Sequence, residues 1–174
     1  LMNTVKALVT VKEQRFPDRA GHSERVAKYS KAVGQILEVS SESLSKLSLA
    51  AWLHDIGYLA NPESPDTAKL KLDELKKMRK NSQEFAQKIC KTMGLDQDVY
   101  EGIIFHTEHF DGSGFPQGVM GIDIPLFARI IAVSKGFDLI ASYGGENGQG
   151  MPTKDALQAI NAMTETQYDP DAVK

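Results

Sequence analysis

The stretch from Leu126 to Tyr143 constrains the fold more than any other part of this sequence. Its leucine, phenylalanine, alanine, isoleucine and valine residues are nearly continuous. A helix at the surface of a globular protein shows one apolar stripe, whereas a helix that is apolar on most sides has to be enclosed by other elements. The sequence therefore predicts a central, buried helix against which the rest of the chain packs.

The segments around this helix repeat apolar residues every three or four positions, which is typical of amphipathic helices. Glycine, proline and hydroxyl residues separate the segments. We see no convincing strand and no internal repeat, and 174 residues are enough for one domain with a core of its own. We predict an all-α fold of about eight helices in a single domain, residues 1–174, with helices near 2–14, 19–38, 44–57, 68–80, 81–93, 97–109, 126–143 and 153–163.

Charge and composition exclude several classes of protein. The net charge of -3 argues against a protein that covers DNA or an anionic membrane, although a local basic pocket can still hold a phosphate ligand. No apolar stretch approaches the roughly 20 residues needed to span a bilayer, and the start lacks the shape of a signal peptide. The single cysteine, Cys90, allows no internal disulfide and suits a core position in a reducing compartment. We therefore expect a cytoplasmic protein.

The four histidines indicate where chemistry can occur. His22 opens a predicted helix, His54 closes another beside Asp55, and His106 and His109 precede a glycine-rich turn. Histidine and aspartate are both metal ligands, so a shared metal pocket is one interpretation. The alternative is structural: the histidine packs in the core and the aspartate caps the helix end. A histidine–aspartate pair without any further motif would favour this alternative.

Several motifs follow one another along the whole chain. They are Gly21-His22-Ser23-Glu24-Arg25-Val26, His54-Asp55-Ile56-Gly57, His106 through Asp111-Gly112-Ser113-Gly114-Phe115-Pro116, Ile124 through Val133, and Tyr168-Asp169-Pro170. Together they resemble the HD-GYP domain. This family is a bacterial branch of the HD metal-dependent phosphohydrolases, and its active members hydrolyse cyclic di-GMP with two or three iron, manganese or similar ions. The resemblance implies an HD-domain helical bundle.

The resemblance also implies a ligand set. The candidate metal ligands are His22, His54, Asp55 and His106, with Asp18 at the place of an additional acidic ligand in some members. Asp55 matches the carboxylate that bridges two metals. We expect Asp55, Lys135 and Arg129 to take part in the chemistry of the site. Arg129 is a candidate phosphate contact, and a structural ion pair with a loop carboxylate is the alternative.

The chain departs from the family at functional positions. Tyr58 occupies the position of a phosphate-binding lysine in the family, and Asn81 and Thr107 occupy the positions of two histidines. Lys135 occupies the position of the late aspartate on the buried helix. Phe115 replaces the signature tyrosine, and the glycine loop 144–150 replaces an arginine- and tyrosine-bearing segment. Asn81 can instead be a helix N-cap, and Asp138 can supply a substitute carboxylate or cap the following loop.

These departures set the functional expectation. A lysine ammonium beside the site opposes a divalent ion, and we expect Lys135 to pair with Asp55 as a counter-charge in place of metal. At most one iron or manganese ion then remains. We predict a degenerate HD-GYP domain, excised from a longer signalling protein, that binds cyclic di-GMP or another phosphoester and regulates a receiver, sensor or GGDEF-type domain, with a homodimer as one arrangement. The alternatives are an active metal-dependent phosphodiesterase and a purely structural dimerisation unit.

Overall fold

A computed structural model describes residues 1–61, 71–144 and 148–174, and within these ranges the fold is all-α, as predicted. In these ranges, three short 3-10 helices connect longer elements, namely Pro17–Arg19, Ile56–Ala60 and Gly121–Asp123. The proline-containing loop predicted near 61–66, the start of the helix predicted at 68–80, and the middle of the glycine loop 144–150 fall wholly or partly outside these residues. The eight α-helices of the described chain are α1 (Met2–Arg15), α2 (His22–Ile36), α3 (Ser41–Leu53), α4 (Leu72–Met93), α5 (Gln97–Phe105), α6 (Leu126–Tyr143), α7 (Thr153–Ala162) and α8 (Pro170–Val173).

The central helix is α6, as its apolar composition predicts. It packs against α2, α5, α7 and α8. Ile130 and Ile131 join the main core of the described residues, and Val133 joins a smaller core beneath α7 and α8. The polar residues of α6 are therefore held at fixed positions inside the protein, and two of them, Lys135 and Asp138, face the histidines described below.

Helix α4 corrects one prediction. The sequence suggested two helices separated at Asn81, but Leu72–Met93 is one continuous helix, so Asn81 is not an N-cap. The residues before Asn81 are lysine, methionine and arginine, which favour helix, and no glycine or proline interrupts them. The polar run from Asn81 to Glu84 is one stretch of a helix that is partly exposed and partly turned toward a cavity.

Glycine brings α4 close to the sequence His54-Asp55. A Cβ atom at Gly57 would collide with the backbone carbonyl of Ser82, so only glycine permits this approach. The middle of α4 consequently forms a wall beside the histidine cluster. None of the helices in the described ranges is long and apolar enough to cross a bilayer.

Candidate metal centre

His22 is the first residue of α2 and is completely buried. Its Nδ1 lies 2.7 Å from Oδ2 of Asp138. Asp138 also accepts hydrogen bonds from Arg25, at 2.6 Å from Nε and 3.0 Å from Nη2. Burial alone would raise the pKa of Asp138, but these hydrogen bonds hold it below its usual value. Because the ionised carboxylate only accepts, the His22 proton lies on Nδ1 and its Nε2 is directed into the site as an acceptor.

His54 and His106 are oriented by the ends of their helices. In each ring Nδ1 donates to the backbone carbonyl three residues earlier, at 2.7 Å to Ala51 and 2.7 Å to Ile103. Nε2 of each ring is again directed into the site as an acceptor. Burial lowers the pKa of His54 to about 3, and burial together with Lys135 lowers the pKa of His106. Both rings are therefore neutral near pH 7, which is the form that binds metal.

Asp55 lies where the three histidines converge. Its Oδ2 is 3.4 Å from Nε2 of His22 and 3.2 Å from Nε2 of His54, and its Oδ1 is 3.5 Å from Nε2 of His106. Burial alone would raise the pKa of this carboxyl group, but His54, Lys135 and the other histidines hold it well below its usual value. Asp55 is therefore a buried carboxylate that needs a positive partner.

Lys135 supplies that positive partner from α6. Its Nζ is 2.9 Å from Oδ1 of Asp55 and 3.1 Å from Nε2 of His106. Burial alone would lower the pKa of Lys135, but Asp55 and Tyr58 raise it above its usual value, so the side chain is an ammonium. The ion pair expected from the sequence is present, and the ammonium stands between two of the predicted metal ligands.

The part of the cluster formed by His22, His54 and Asp55 is suited to one divalent ion. Nε2 of His22 and Nε2 of His54 are 3.2 Å apart, and with Nδ1 protonated in both rings neither nitrogen can donate to the other. Together with Asp55 they form a group of three ligand atoms, all within 4.8 Å of one another. A cation bound between the two nitrogens would satisfy this arrangement. The His-His-Asp set, with each outer ring nitrogen already bonded, has the chemistry of a metal site.

Asp138 should set the metal affinity of this half-site, because it orients His22 without touching the ion. We expect Asp138→Asn to weaken binding of Mn²⁺ by about 10 to 100-fold, the usual cost of losing a group that supports a metal ligand. Calorimetric titration of metal-free protein with Mn²⁺ measures this. Asp171→Asn, in an exposed carboxylate paired with Lys174, is the control and should leave the affinity unchanged. Equal affinities for the wild type and Asp138→Asn would show that His22 is not a ligand.

Two predicted site residues lie outside the cluster. Asp18 is exposed and lies 3.6 Å from its neighbour Arg19, so its assignment as a metal ligand is not supported in this structure. Arg129 pairs with Asp169 and donates to the carbonyl oxygen of Ile124 at 2.8 Å. It therefore holds the segment before α8 in place, which agrees with the structural alternative, and its part in the chemistry stays a prediction.

The residue of α4 that faces the site, where the family has a histidine, is not the one assigned from the sequence. Asn81 is exposed and does not line the cavity, whereas the next residue, Ser82, does. Ser82 accepts a hydrogen bond from Asn61 at 2.8 Å. A one-residue shift on a helix turns a side chain by about 100°, so the sequence motif alone did not fix which residue is directed inward.

Some residues of the site were missed by sequence reasoning. Asp138 was expected to act as a metal ligand or a loop cap, but its oxygens are taken by His22 and Arg25. Lys12 of α1 is buried and donates to Oγ of Ser23 at 2.8 Å. The helical position of Lys12, one turn from the buried Val9, was the available signal.

Hydrogen bonds from the residues after α5 hold the glycine-rich turn beside the histidine cluster. The buried Glu108 carboxylate accepts hydrogen bonds from the backbone N–H of Gln117 at 2.6 Å and of Gly118 at 3.1 Å. The hydroxyl of Thr107 donates to the carbonyl of Phe115 at 2.7 Å. α5 thus ends at Phe105, not near His109 as predicted, since the following residues hold the turn.

A cavity of about 520 Å³ opens beside Asp55, His54, His106 and Lys135. Its walls are partly apolar, with Tyr58 and Phe115 at positions where the sequence departs from the expected motifs. The Lys135 ammonium lies 5.9 Å from the centre of the Tyr58 ring. The further lining residues that matter below are Leu75, Met78, Arg79, Gln83, Gly136 and Tyr168.

Comparisons with known families and sequences agree with this geometry. A family model described as "HD domain" matches residues 6–172. The chain is 30% identical over 168 residues to 3'3'-cGAMP-specific phosphodiesterase 3 of Vibrio cholerae, covering 96% of this chain and 36% of that protein. It is 32% identical over 173 residues to the cyclic di-GMP phosphodiesterase response regulator RpfG of Xanthomonas campestris, covering 98% and 46%. The chain thus spans less than half the length of these two relatives.

Solved structures share the fold. A cyclic GMP-AMP-specific phosphodiesterase of Vibrio cholerae superposes with a TM-score of 0.78 at 21% identity, covering 98% of this chain and 46% of that one. An HDG"Y"P protein from Bdellovibrio bacteriovorus superposes with a TM-score of 0.69 at 24% identity, covering 87% and 49%. At these identities the likeness establishes the helical architecture, and the chemistry has to be argued from the residues of this chain.

Proposed function

Because the chain belongs to the HD domain family, as a domain of HD-GYP type, we propose that it is a signalling domain that binds a phosphoester and hydrolyses it slowly or not at all. The ligand class proposed first is the cyclic dinucleotides, because two relatives are named for cyclic di-GMP and 3'3'-cGAMP. One observation carries the proposal, namely the contact of the Lys135 ammonium with Asp55 and His106.

An ammonium group can perform one of the two functions of a metal ion, which are to neutralise negative charge and to activate water. It neutralises Asp55 and offers a positive charge to a phosphoryl oxygen, so ligand binding is preserved. It cannot lower the pKa of a bound water as a divalent ion does, and it occupies the place between Asp55 and His106. Two-metal assistance of phosphoryl displacement is therefore lost, whereas recognition of an anionic ligand is retained.

A second candidate function rests on the other half of the cluster. His22, His54 and Asp55 have the geometry to hold one divalent ion, which would supply a Lewis acid for a phosphoryl oxygen. The second candidate is therefore a mononuclear phosphohydrolase. In it the Lys135 ammonium, rather than a second ion, offsets the charge on the ligand.

The cellular role extends the proposal beyond this chain. The relatives are more than twice as long as the aligned region, so we propose that the domain is coupled to a receiver, sensor or GGDEF-type domain. A regulatory domain of this type works in the cytoplasm, and a homodimer is the simplest assembly through which it can act.

Calorimetric titration with cyclic di-GMP, combined with chromatography of the products, tests the proposal. The wild type is expected to bind, with no product formed during the titration even in excess Mn²⁺. Absence of heat at millimolar ligand would contradict binding. Product formation that His54→Ala abolishes would contradict the non-catalytic assignment and favour the mononuclear phosphohydrolase.

A further inference from the structure

The hydroxyl group of Tyr168 lies on the cavity wall without a partner. The side chain is only 4% exposed, and its ring packs in the small core with Val133 and Ile160. Its oxygen approaches Gly136 so closely that a Cβ atom there would collide with it. None of the hydrogen bonds within the described residues involves this hydroxyl. The hydroxyl oxygen is not among the fully enclosed polar atoms of the described residues, so it is reached from the cavity and can donate to a group that enters there.

Arg79 supplies a second donor at the same cavity. It lies on α4, lines the cavity and forms no ion pair within the described chain. Arg25 of α2, which is also a cation close to the histidines, is paired with Asp138. Gln83, one helical turn after Arg79, lines the cavity as well. The guanidinium group is thus available for an anion at the α4 wall.

Lys135 adds a third donor at the floor of the cavity. An ammonium carries three N–H bonds, and its contacts with Asp55 and His106 use two of them. Lys135 also lines the cavity next to Gly136, the residue against which the Tyr168 hydroxyl packs. The third N–H is therefore free to reach a ligand beside that hydroxyl.

The carboxylates around the cavity are already engaged. Among the carboxylates that line it, Asp55 is paired with Lys135, and Glu108 accepts backbone N–H groups from the glycine-rich turn. The remaining charged and hydroxyl donors exceed the free carboxylates, so the cavity favours an anion. Its apolar side, with Tyr58, Phe115 and Met78, suits a flat organic group attached to that anion.

We propose that Tyr168 and Arg79, together with Lys135, bind the phosphate of a phosphoester, so that the cavity recognises its ligand through protein donors instead of metal ions. This rests on the proposed function and adds the residues that would carry it. Tyr168 and Lys135 contact the phosphate at the floor, and Arg79 contacts it, or a second phosphate of the same ligand, from α4. Binding then persists after removal of metal.

Two substitutions with matched controls test the proposal. In metal-free protein, Tyr168→Phe and Arg79→Gln are each expected to raise the dissociation constant for cyclic di-GMP by about tenfold, the usual cost of losing one hydrogen bond to a charged group. The controls are Tyr100→Phe, in a tyrosine that does not line the cavity, and Lys76→Gln, in an exposed cation of α4. Both controls should bind like the wild type. Because the Tyr168 hydroxyl has no hydrogen-bond partner among the described residues, Tyr168→Phe should also unfold at the wild-type temperature.

Inorganic pyrophosphate, used as a second probe, separates the two proposals. If cyclic di-GMP binds and neither substitution changes its affinity, the residue assignment is wrong while the proposed function stands. If cyclic di-GMP does not bind but pyrophosphate does, with the same dependence on Tyr168 and Arg79, the anion site is supported and the cyclic dinucleotide is excluded. If neither probe binds, or if EDTA abolishes all binding, the anion site is overturned.

Discussion

Replacing Lys135 by alanine is expected to lower the free energy of unfolding of the metal-free protein by about 3–5 kcal/mol, because it leaves the buried Asp55 without a positive partner. The carboxylate is only 7% exposed and its Oδ1 lies 2.9 Å from the lysine ammonium. Urea denaturation in EDTA measures the change. Lys154→Ala, in an exposed residue of α7, is the control and should change stability by less than about 0.5 kcal/mol.

Addition of Mn²⁺ should restore part of the stability lost in Lys135→Ala. The substitution exposes Oδ1 of Asp55 and Nε2 of His106 to a cation, and a ligand that binds only the folded state stabilises it by mass action. The same addition should stabilise the wild type less, because the wild-type ammonium already occupies that place. If Lys135→Ala lowers the free energy of unfolding by less than about 1 kcal/mol, and Mn²⁺ stabilises the variant and the wild type equally, Lys135 is not the counter-charge of Asp55.

Restoring the expected ligands is the change with the largest predicted gain. The triple variant Lys135→Asp, Thr107→His, Ser82→His is expected to bind two Mn²⁺ ions where the wild type binds at most one. We expect its hydrolysis of cyclic di-GMP to exceed that of the wild type by at least about 100-fold, since even a supporting group around a metal site accounts for 10 to 100-fold. Metal analysis and product chromatography measure the two effects.

The matched control for the triple variant uses the neighbouring residue on α4. Replacing Ser82→His by Asn81→His keeps the number of added histidines the same but places the imidazole at an exposed position outside the cavity. This control should gain no more than the double variant Lys135→Asp, Thr107→His. If the Asn81 version binds more metal than the Ser82 version, the inward residue of α4 is misassigned.

The ion pair between Lys135 and Asp55 could be predicted from the sequence. The motif around His54 requires a buried carboxylate, and a lysine at the place of the late aspartate is the nearest source of a compensating charge. The central position of α6 could be predicted as well, because a helix without a polar face has to be enclosed. The enclosure of α6 follows from its composition, whereas the place of Lys135 follows from the resemblance to the HD-GYP motifs.

Other features depend on three-dimensional placement and were missed. Asp18 matches the acidic position of the motif, but it lies in a short 3-10 helix and is exposed to solvent. Which residue of α4 is directed toward the cavity depends on how Gly57 seats the helix against it. The partners of Asp138 come from α2, more than 100 positions earlier in the chain, and local sequence carries no signal for such a contact.

The metal content of the purified wild-type domain tests the central claim most directly. If the Lys135 ammonium takes the place of one cation, elemental analysis will find at most one equivalent of iron or manganese, and His54→Ala will remove it. Two or more equivalents per chain, lost in His54→Ala, would contradict the claim and would identify the domain as a complete metallohydrolase.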